Sequence, residues 1–369
     1  MILLEHGPEG RPAMFDAPRD LVVAWHPDEV APALARLDAA RASGLWAAGY
    51  LSYEAGYALE PRLAPLMPQD RVHPLLAFGL YEEPGAAVIP TGDAHLSPLR
   101  PLVSRDAYGA AFDKVAAYIR AGDCYQINLT FPMEADLTGD PRGLYAALRS
   151  RQAVGFGGLV DLGVGPAIVS RSPELFFSVT AGGRIESRPM KGTAPRSPDP
   201  EEDAALAEDL WRSEKGRAEN LMIVDLLRND ISRLARVGSV KVPELFAVEA
   251  FATVHQMSSR VVGQLVEPPA MARLMPALFP CGSITGAPKI RAMEIIREVE
   301  PHARGVYCGA IGWMAPDGAA TFNVAIRTLS VFGQRVVLNV GGGVVFDSTA
   351  QGEWDEAHWK ARYAAVLSR

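Results

Sequence analysis

The sequence predicts an α+β sandwich built on antiparallel sheet, and three observations carry that prediction. Strand-length apolar runs dominate the chain. Helical patterns interrupt them singly and do not alternate with them in a βαβ rhythm. Successive strands are separated by short glycine-containing turns, as hairpins require. No fixed-period repeat is present.

The elements follow in order. Residues 21–25 and 45–51 read as strands, and 27–42 as a helix with Val30, Ala33, Leu34 and Leu37 at helical spacing. Pro32 falls near its first turn, where a missing N–H is tolerated. Residues 88–100, with several Pro, Gly and Ser, read as a connector. The chain is therefore expected to divide into an amino-terminal region, 1–100, and a second unit, 104–367. In the second unit, 107–121 is helical with Tyr108, Phe112, Val115 and Ile119 on one stripe, and 124–130 is a strand. Strands over 157–162 and 165–170 flank a Gly-containing turn, and 175–180 with 184–187 form a hairpin about Ala181-Gly182-Gly183. Residues 201–236 are the longest helical stretch, with Leu221, Val224, Leu227 and Ile231 as its apolar face. A helix over 289–299 is led in by Pro288. Strands over 306–314, 321–332 and 335–341 precede a closing helix over 353–367.

Length and charge narrow the function. A chain of 369 residues suits two domains or one large sandwich. Its net charge of −7 argues against nucleic acid as a partner, yet leaves an anionic small substrate open, since a few cations can set the local sign. Cys124, Cys281 and Cys308 are too sparse for a disulfide framework or a zinc site, so a cytoplasmic setting is expected. No basic leader and no apolar run of about 18 residues is present, so neither a signal peptide nor a membrane partner is expected.

Several segments carry chemistry. In Arg188-Pro189-Met190-Lys191-Gly192-Thr193, a lysine sits beside a glycine after a strand. Burial there would favour its free amine and make it a nucleophile; in isolation the same segment reads first as a surface turn with a solvated lysine. Glu353, Glu356 and Lys360 share one helical face, and Glu219 edges the apolar stripe of another helix. Such carboxylates suit a hard cation, or simply a solvated face. Gly341-Gly342-Gly343 leaves backbone N–H groups for an anion, or forms a turn. Arg327, inside an apolar run, needs an anionic partner, either structural or a ligand. The segment 282–289 is not a phosphate loop, because Ala287-Pro288 separate Gly286 from Lys289. His255 is a candidate proton donor or a structural histidine.

Taken together and in order, these segments resemble the chorismate-utilising enzymes. The residues that carry the likeness are Ser172-Pro173-Glu174, Pro189 to Thr193, Arg217 to Leu226 with Arg228-Asn229-Asp230, Gly286 to Lys289, Arg304 to Gly309, Ala325 to Thr328, and the glycine run through Asp347-Ser348. The likeness is dense from about 104 to 367. It is looser over 1–100, where Leu3-Leu4-Glu5 and Ser52-Tyr53-Glu54-Ala55 carry it.

The resemblance implies a large two-layered antiparallel β-sandwich flanked by helices, with the site in a cleft. It implies Mg²⁺ held by Glu219 and Glu356 with Glu353 close by. Arg327, Tyr307, Lys360 and the backbone at Gly341, Gly342 and Gly343 would hold chorismate, with Ser283 and Thr193 nearby. Water-adding members carry a lysine base where this chain has Gln126 and a glutamate where it has Arg188. Anthranilate-forming members carry alanine where it has Lys191. The pattern is therefore closest to the aminodeoxychorismate-forming branch, in which this lysine attacks the ring at C2. By the same resemblance His255 protonates the departing hydroxyl and Glu174 steers or deprotonates ammonia. Gly216 departs from the family, many of whose members carry an acidic residue there. No glutaminase segment is recognisable, so ammonia is expected from solution or from a separate glutamine amidotransferase subunit, and no fused lyase is expected. The alternatives are an anthranilate synthase component I and a non-catalytic chorismate-binding subunit.

Overall fold

A computed structural model of the protein describes residues 1–251, 254–365 and 367. In chain order the elements begin with β1 (Ile2–Leu4), β2 (Ala13–Phe15), β3 (Asp20–Ala24), α1 (Pro27–Ala42), β4 (Trp46–Leu51), α2 (Ala55–Leu59) and β5 (Leu76–Tyr81). Of the short pieces β6 (Gly85–Ala86), β7 (His95–Leu96) and β8 (Arg100–Pro101), β7 lies within the expected connector, β8 starts at its end and β6 precedes it. Then come α3 (Arg105–Ala121), β9 (Gln126–Thr138), α4 (Pro141–Arg151), β10 (Phe156–Val160), β11 (Ala167–Ser172), β12 (Leu175–Val179), β13 (Arg184–Arg188) and β14 (Met190–Pro195). They are followed by α5 (Pro200–Arg212), α6 (Glu214–Ser232), β15 (Lys241–Ala250), β16 (Val254–Gln264), α7 (Met271–Leu278), β17 (Gly286–Ala287) and α8 (Lys289–Val299). The chain closes with β18 (Ala310–Met314), β19 (Ala320–Val324), β20 (Thr328–Phe332), β21 (Arg335–Val344) and α9 (Ala350–Ala365).

The strands form two large antiparallel sheets. One runs β17-β9-β21-β20-β11-β10-β1-β2-β6, and the other β14-β16-β13-β12-β19-β18-β4-β5-β3. The α+β sandwich predicted from hairpin-connected strands is the observed architecture. The boundary near residue 100 does not separate two cores, however. β1 pairs with β10 and β4 with β18, so the first hundred residues are stitched into both sheets.

Local differences from the sequence reading have physical causes. The 201–236 stretch is two helices, because Ser213 leaves helical geometry and its side chain accepts a hydrogen bond from Gly216 N as the N-cap of α6. Strand β5 shows no alternation because it is buried on both faces. The predicted 321–332 strand is broken at 325–327, where the chain leaves one sheet for the other. The closing helix starts at Ala350, and Val366 lies outside the described residues. Among the described residues no helix is long and apolar enough to cross a membrane.

The space between the sheets differs from end to end. Where β1 and β2 face β4, β5 and β18, it is filled by Phe15, Tyr50, Tyr81 and Trp313 with Ile2 and Leu4. At the other end, β9 and β21 face β14 and β16 across a cavity.

Candidate active site

The cavity has a volume of about 660 Å³, within the range of small-molecule sites. Both sheets and the helices α6 and α9 contribute to its wall.

Lys191 enters from β14. Met190 pairs with Ser258 and Thr193 with Gln256, so Lys191 and Gly192 together oppose Met257 in a β-bulge. Gly192 has φ +83°, a left-handed conformation that a side chain would strain. Lys191 and Thr193 both line the cavity. Burial lowers the pKa of the Lys191 ammonium; Glu219 opposes the shift and Lys360 adds to it.

Glu174 follows the Ser172-Pro173 turn and is buried. Its Oε1 accepts a hydrogen bond from Ser283 Oγ at 2.8 Å. Burial lifts its carboxyl to about 7, against the opposing pull of Ser283, Lys191 and Arg327. It can therefore hold a proton near neutrality. Tyr307, whose phenol burial holds well above its ordinary range, stands on the same wall as a neutral group.

Arg327 is not inside a strand. It occupies the crossing between β19 and β20, with φ +49°. There its guanidinium faces the cavity and, among the described residues, has neither a hydrogen-bond nor an ion-pair partner. No carboxylate of the described residues lies within ion-pair distance of it, although Glu174 acts on it electrostatically.

The glycine run is part of β21, not a turn. Gly341, Gly342 and Gly343 lie opposite Thr130, Leu129 and Asn128. They allow close approach as much as anion binding. A Cβ on Gly342 would lie 2.6 Å from Glu353 Oε2, and one on Gly343 would lie 3.1 Å from Lys191 Nζ and 3.0 Å from the Gln126 amide. The Gly341 carbonyl accepts a hydrogen bond from Lys360 Nζ at 2.9 Å. Gln126 is fully buried at the start of β9, and neither polar atom of its amide has a partner among the described residues.

Glu353, Glu356 and Lys360 from α9 line the cavity, and Glu219 lines it from α6. Glu356 is paired with Lys360 at 2.7 Å and Glu219 lies 4.0 Å from Lys215. Ser348 holds Glu353 Oε1 at 2.6 Å, while the buried Oε2 has no partner. The donors are hard oxygens and one is orphaned, which fits a hard divalent cation. Among the described residues no group of three or more His, Cys, Asp or Glu side chains is already arranged to hold a metal ion.

Three predicted residues are not part of the cavity wall: Gln126, beside Gly343; Gly342, beside Glu353; and His255. Successive residues of a strand point to opposite faces. On β16, Val254 and Gln256 face the cavity. His255 is turned away, with Nε2 2.9 Å from Asp203 Oδ1 on α5. The reading of His255 as the proton donor to the departing hydroxyl is corrected on that ground. Sequence reasoning also missed Asn128, Lys215, Gln256 and Tyr363 in the wall. Only the period-two alternation of β16 carried a signal for Gln256.

The inter-sheet cleft thus carries a cation without a protein partner and a half-buried amine alongside several carboxylates, an arrangement that suits a small carboxylated molecule. The chain belongs to the chorismate binding enzyme family, whose sequence model matches residues 84–365. It is 46% identical over 254 residues to aminodeoxychorismate synthase component 1 of Escherichia coli K12, a match covering 69% of this chain and 56% of that protein. It is 43% identical over 259 residues to anthranilate synthase component 1 of Thermus thermophilus, covering 70% and 56%. The match thus spans just over half the length of these relatives. The crystal structure of anthranilate synthase component I from Streptococcus pneumoniae TIGR4 superposes with a TM-score of 0.78 at 28% identity, covering 99% of this chain and 90% of that one.

Proposed function

We propose that the chain forms 4-amino-4-deoxychorismate from chorismate and ammonia, as an aminodeoxychorismate synthase component 1. The observation that carries this reading is Lys191, a desolvated amine set into the cavity by a β-bulge beside a carboxyl group poised near pH 7.

Arg327, without a protein partner, takes one substrate carboxylate by charge-assisted hydrogen bonds. Lys191 Nζ, as the free amine, forms a bond to ring carbon C2. The ring double bonds shift toward C4, the C4–O bond breaks, and the hydroxyl takes the Glu174 proton and leaves as water. Ammonia then adds at C4. The C2–N bond breaks, its electron pair returns to Lys191, and the new C4 ammonium gives its surplus proton to Glu174. One ammonia is consumed and one water released, and the enzyme is restored. Glu219 and Glu356, with Glu353 beside them, would hold Mg²⁺, which when bound neutralises the substrate's ring carboxylate. Ammonia comes from solution or from a separate glutamine amidotransferase subunit; the words "component 1" in the relatives' names fit a two-part enzyme.

Anthranilate formation is the second reading, favoured by relatives of that name at similar identity. Incubating purified protein with chorismate, Mg²⁺ and ammonium and weighing the product separates the two. 4-Amino-4-deoxychorismate is expected. Anthranilate with pyruvate would overturn the proposal, and chorismate binding without turnover would favour a non-catalytic subunit.

A further inference from the structure

The bulge that presents Lys191 has lost its share of the β14–β16 ladder, and a side chain replaces what was lost. Between the Met190–Ser258 and Thr193–Gln256 pairs, Lys191 and Gly192 have only Met257 opposite them. Gln256 Nε2 donates to the Gly192 carbonyl oxygen at 2.7 Å. Gln256 Oε1 accepts from Thr193 Oγ1 at 3.0 Å. One carboxamide thus grips the two residues that follow Lys191.

The rear of the bulge is already fixed. A Cβ on Gly192 would lie 3.1 Å from Leu210 Cδ1 on α5 and 3.7 Å from Met257 Cβ. On the far face of β16, His255 is tied to Asp203, which Arg196 and the Ser197 N–H also hold. The remaining freedom of the bulge is therefore toward the open cavity, and that is the side on which Gln256 stands. The chemistry of the group matters. A carboxylate at this position would have no donor for the Gly192 carbonyl, whereas an amide offers a donor and an acceptor and does not titrate near neutrality.

We propose that Gln256 is a positioning residue that locks the bulge and so sets where Lys191 Nζ stands in the cavity. The proposal rests on the reading of Lys191 as the nucleophile for its effect on rate; the clamp itself stands on the hydrogen bonds alone. In Gln256→Ala, kcat for aminodeoxychorismate formation falls about 30- to 100-fold, the scale expected for misplacing a reacting group by about an ångström. The chorismate Kd stays within about 3-fold of wild type, because Gln256 acts on the enzyme's own backbone. Thr193→Val, which removes one of the two bonds, gives a smaller fall in kcat in the same direction. The second readout is reductive methylation with formaldehyde and cyanoborohydride, scored by peptide mass spectrometry. The rate at Lys191 relative to exposed Lys114 changes by more than about 3-fold in Gln256→Ala. Wild-type kcat together with an unchanged Lys191-to-Lys114 ratio in Thr193→Val and Gln256→Ala would overturn the proposal. If Gln256→Ala does not fold, Thr193→Val decides it alone by the same two measurements. A changed methylation ratio alongside an active Lys191→Ala variant would uphold the clamp and sink the nucleophile reading.

Discussion

The two ends of the sandwich face the same problem and solve it differently. Both must fill the gap between two sheets. At the β1–β5 end the gap is closed by large rings: Phe15 packs 5.4 Å from Tyr81, and Trp46 packs 5.8 Å from Trp313. At the β9–β21 end the corresponding positions are glycines, carboxylates and cations, and a cavity remains. Both ends also hold buried polar atoms without protein partners, and their meaning differs. The hydroxyls of Tyr50 and Tyr81 lie within an apolar cluster and face no cavity of this size. Glu353 and the Arg327 guanidinium stand on one cavity, and the Gln126 amide lies beside Gly343 of its wall. An unsatisfied buried group indicates a ligand only where such groups converge on open space.

This contrast is open to test, beginning with the open end. Lys191→Ala should lower aminodeoxychorismate formation at physiological ammonia by on the order of 10³-fold while chorismate still binds; wild-type turnover would end the covalent route. Glu174→Gln should cost about 10²-fold and change the pH profile. In the wild type, kcat/KM at constant free ammonia should fall toward acid pH as Lys191, its pKa lowered by burial, is protonated, and fall above about pH 7 as Glu174 loses the proton it donates. The alkaline limb should vanish in the glutamine variant, and its persistence would assign that proton elsewhere. Arg327→Met should weaken chorismate binding by about 2–3 kcal/mol, or roughly 30- to 150-fold in Kd by calorimetry.

At the closed end the signs reverse. Phe15→Ala should destabilise the fold by about 3–5 kcal/mol in denaturant titration and leave kcat per folded molecule unchanged. The smallest effect is expected for Tyr50→Phe. It removes a hydroxyl without a partner, so stability should hold or rise by up to about 1 kcal/mol. A substantial loss in that variant would mean that the hydroxyl has a role that the contrast denies it.

Much of the open end was legible in sequence because its residues fall in short segments with distinctive neighbours. Lys191 with its glycine, the Glu353–Glu356–Lys360 face and Arg327 among apolar residues all reach one cavity. What was not legible depends on register and on chain direction. His255 and Gln256 are adjacent, and a single step along β16 exchanges the face that each presents. Arg327 reads as a strand residue because both flanks are strands; only the topology places those flanks in different sheets. The bulge at Lys191 was equally hidden, since it exists only relative to Met257 on a strand more than sixty residues later. The sandwich itself was legible from hairpin spacing, but the partnership of the first hundred residues with both sheets was not, since nothing local in β1 names β10.

That partnership has a consequence for how the chain assembles. Ile2 pairs with Val160, and Tyr50 with Ile311. On a ribosome, β1 and β4 emerge long before β10 and β18, and the two sheets cannot be completed until β21 and β19 are made. Pairings so distant in sequence make folding slow, and unpaired edges exposed in the interval invite association with other chains. A polypeptide cut near residue 104 would leave the edges of β10 and β18 bare, however intact its catalytic residues.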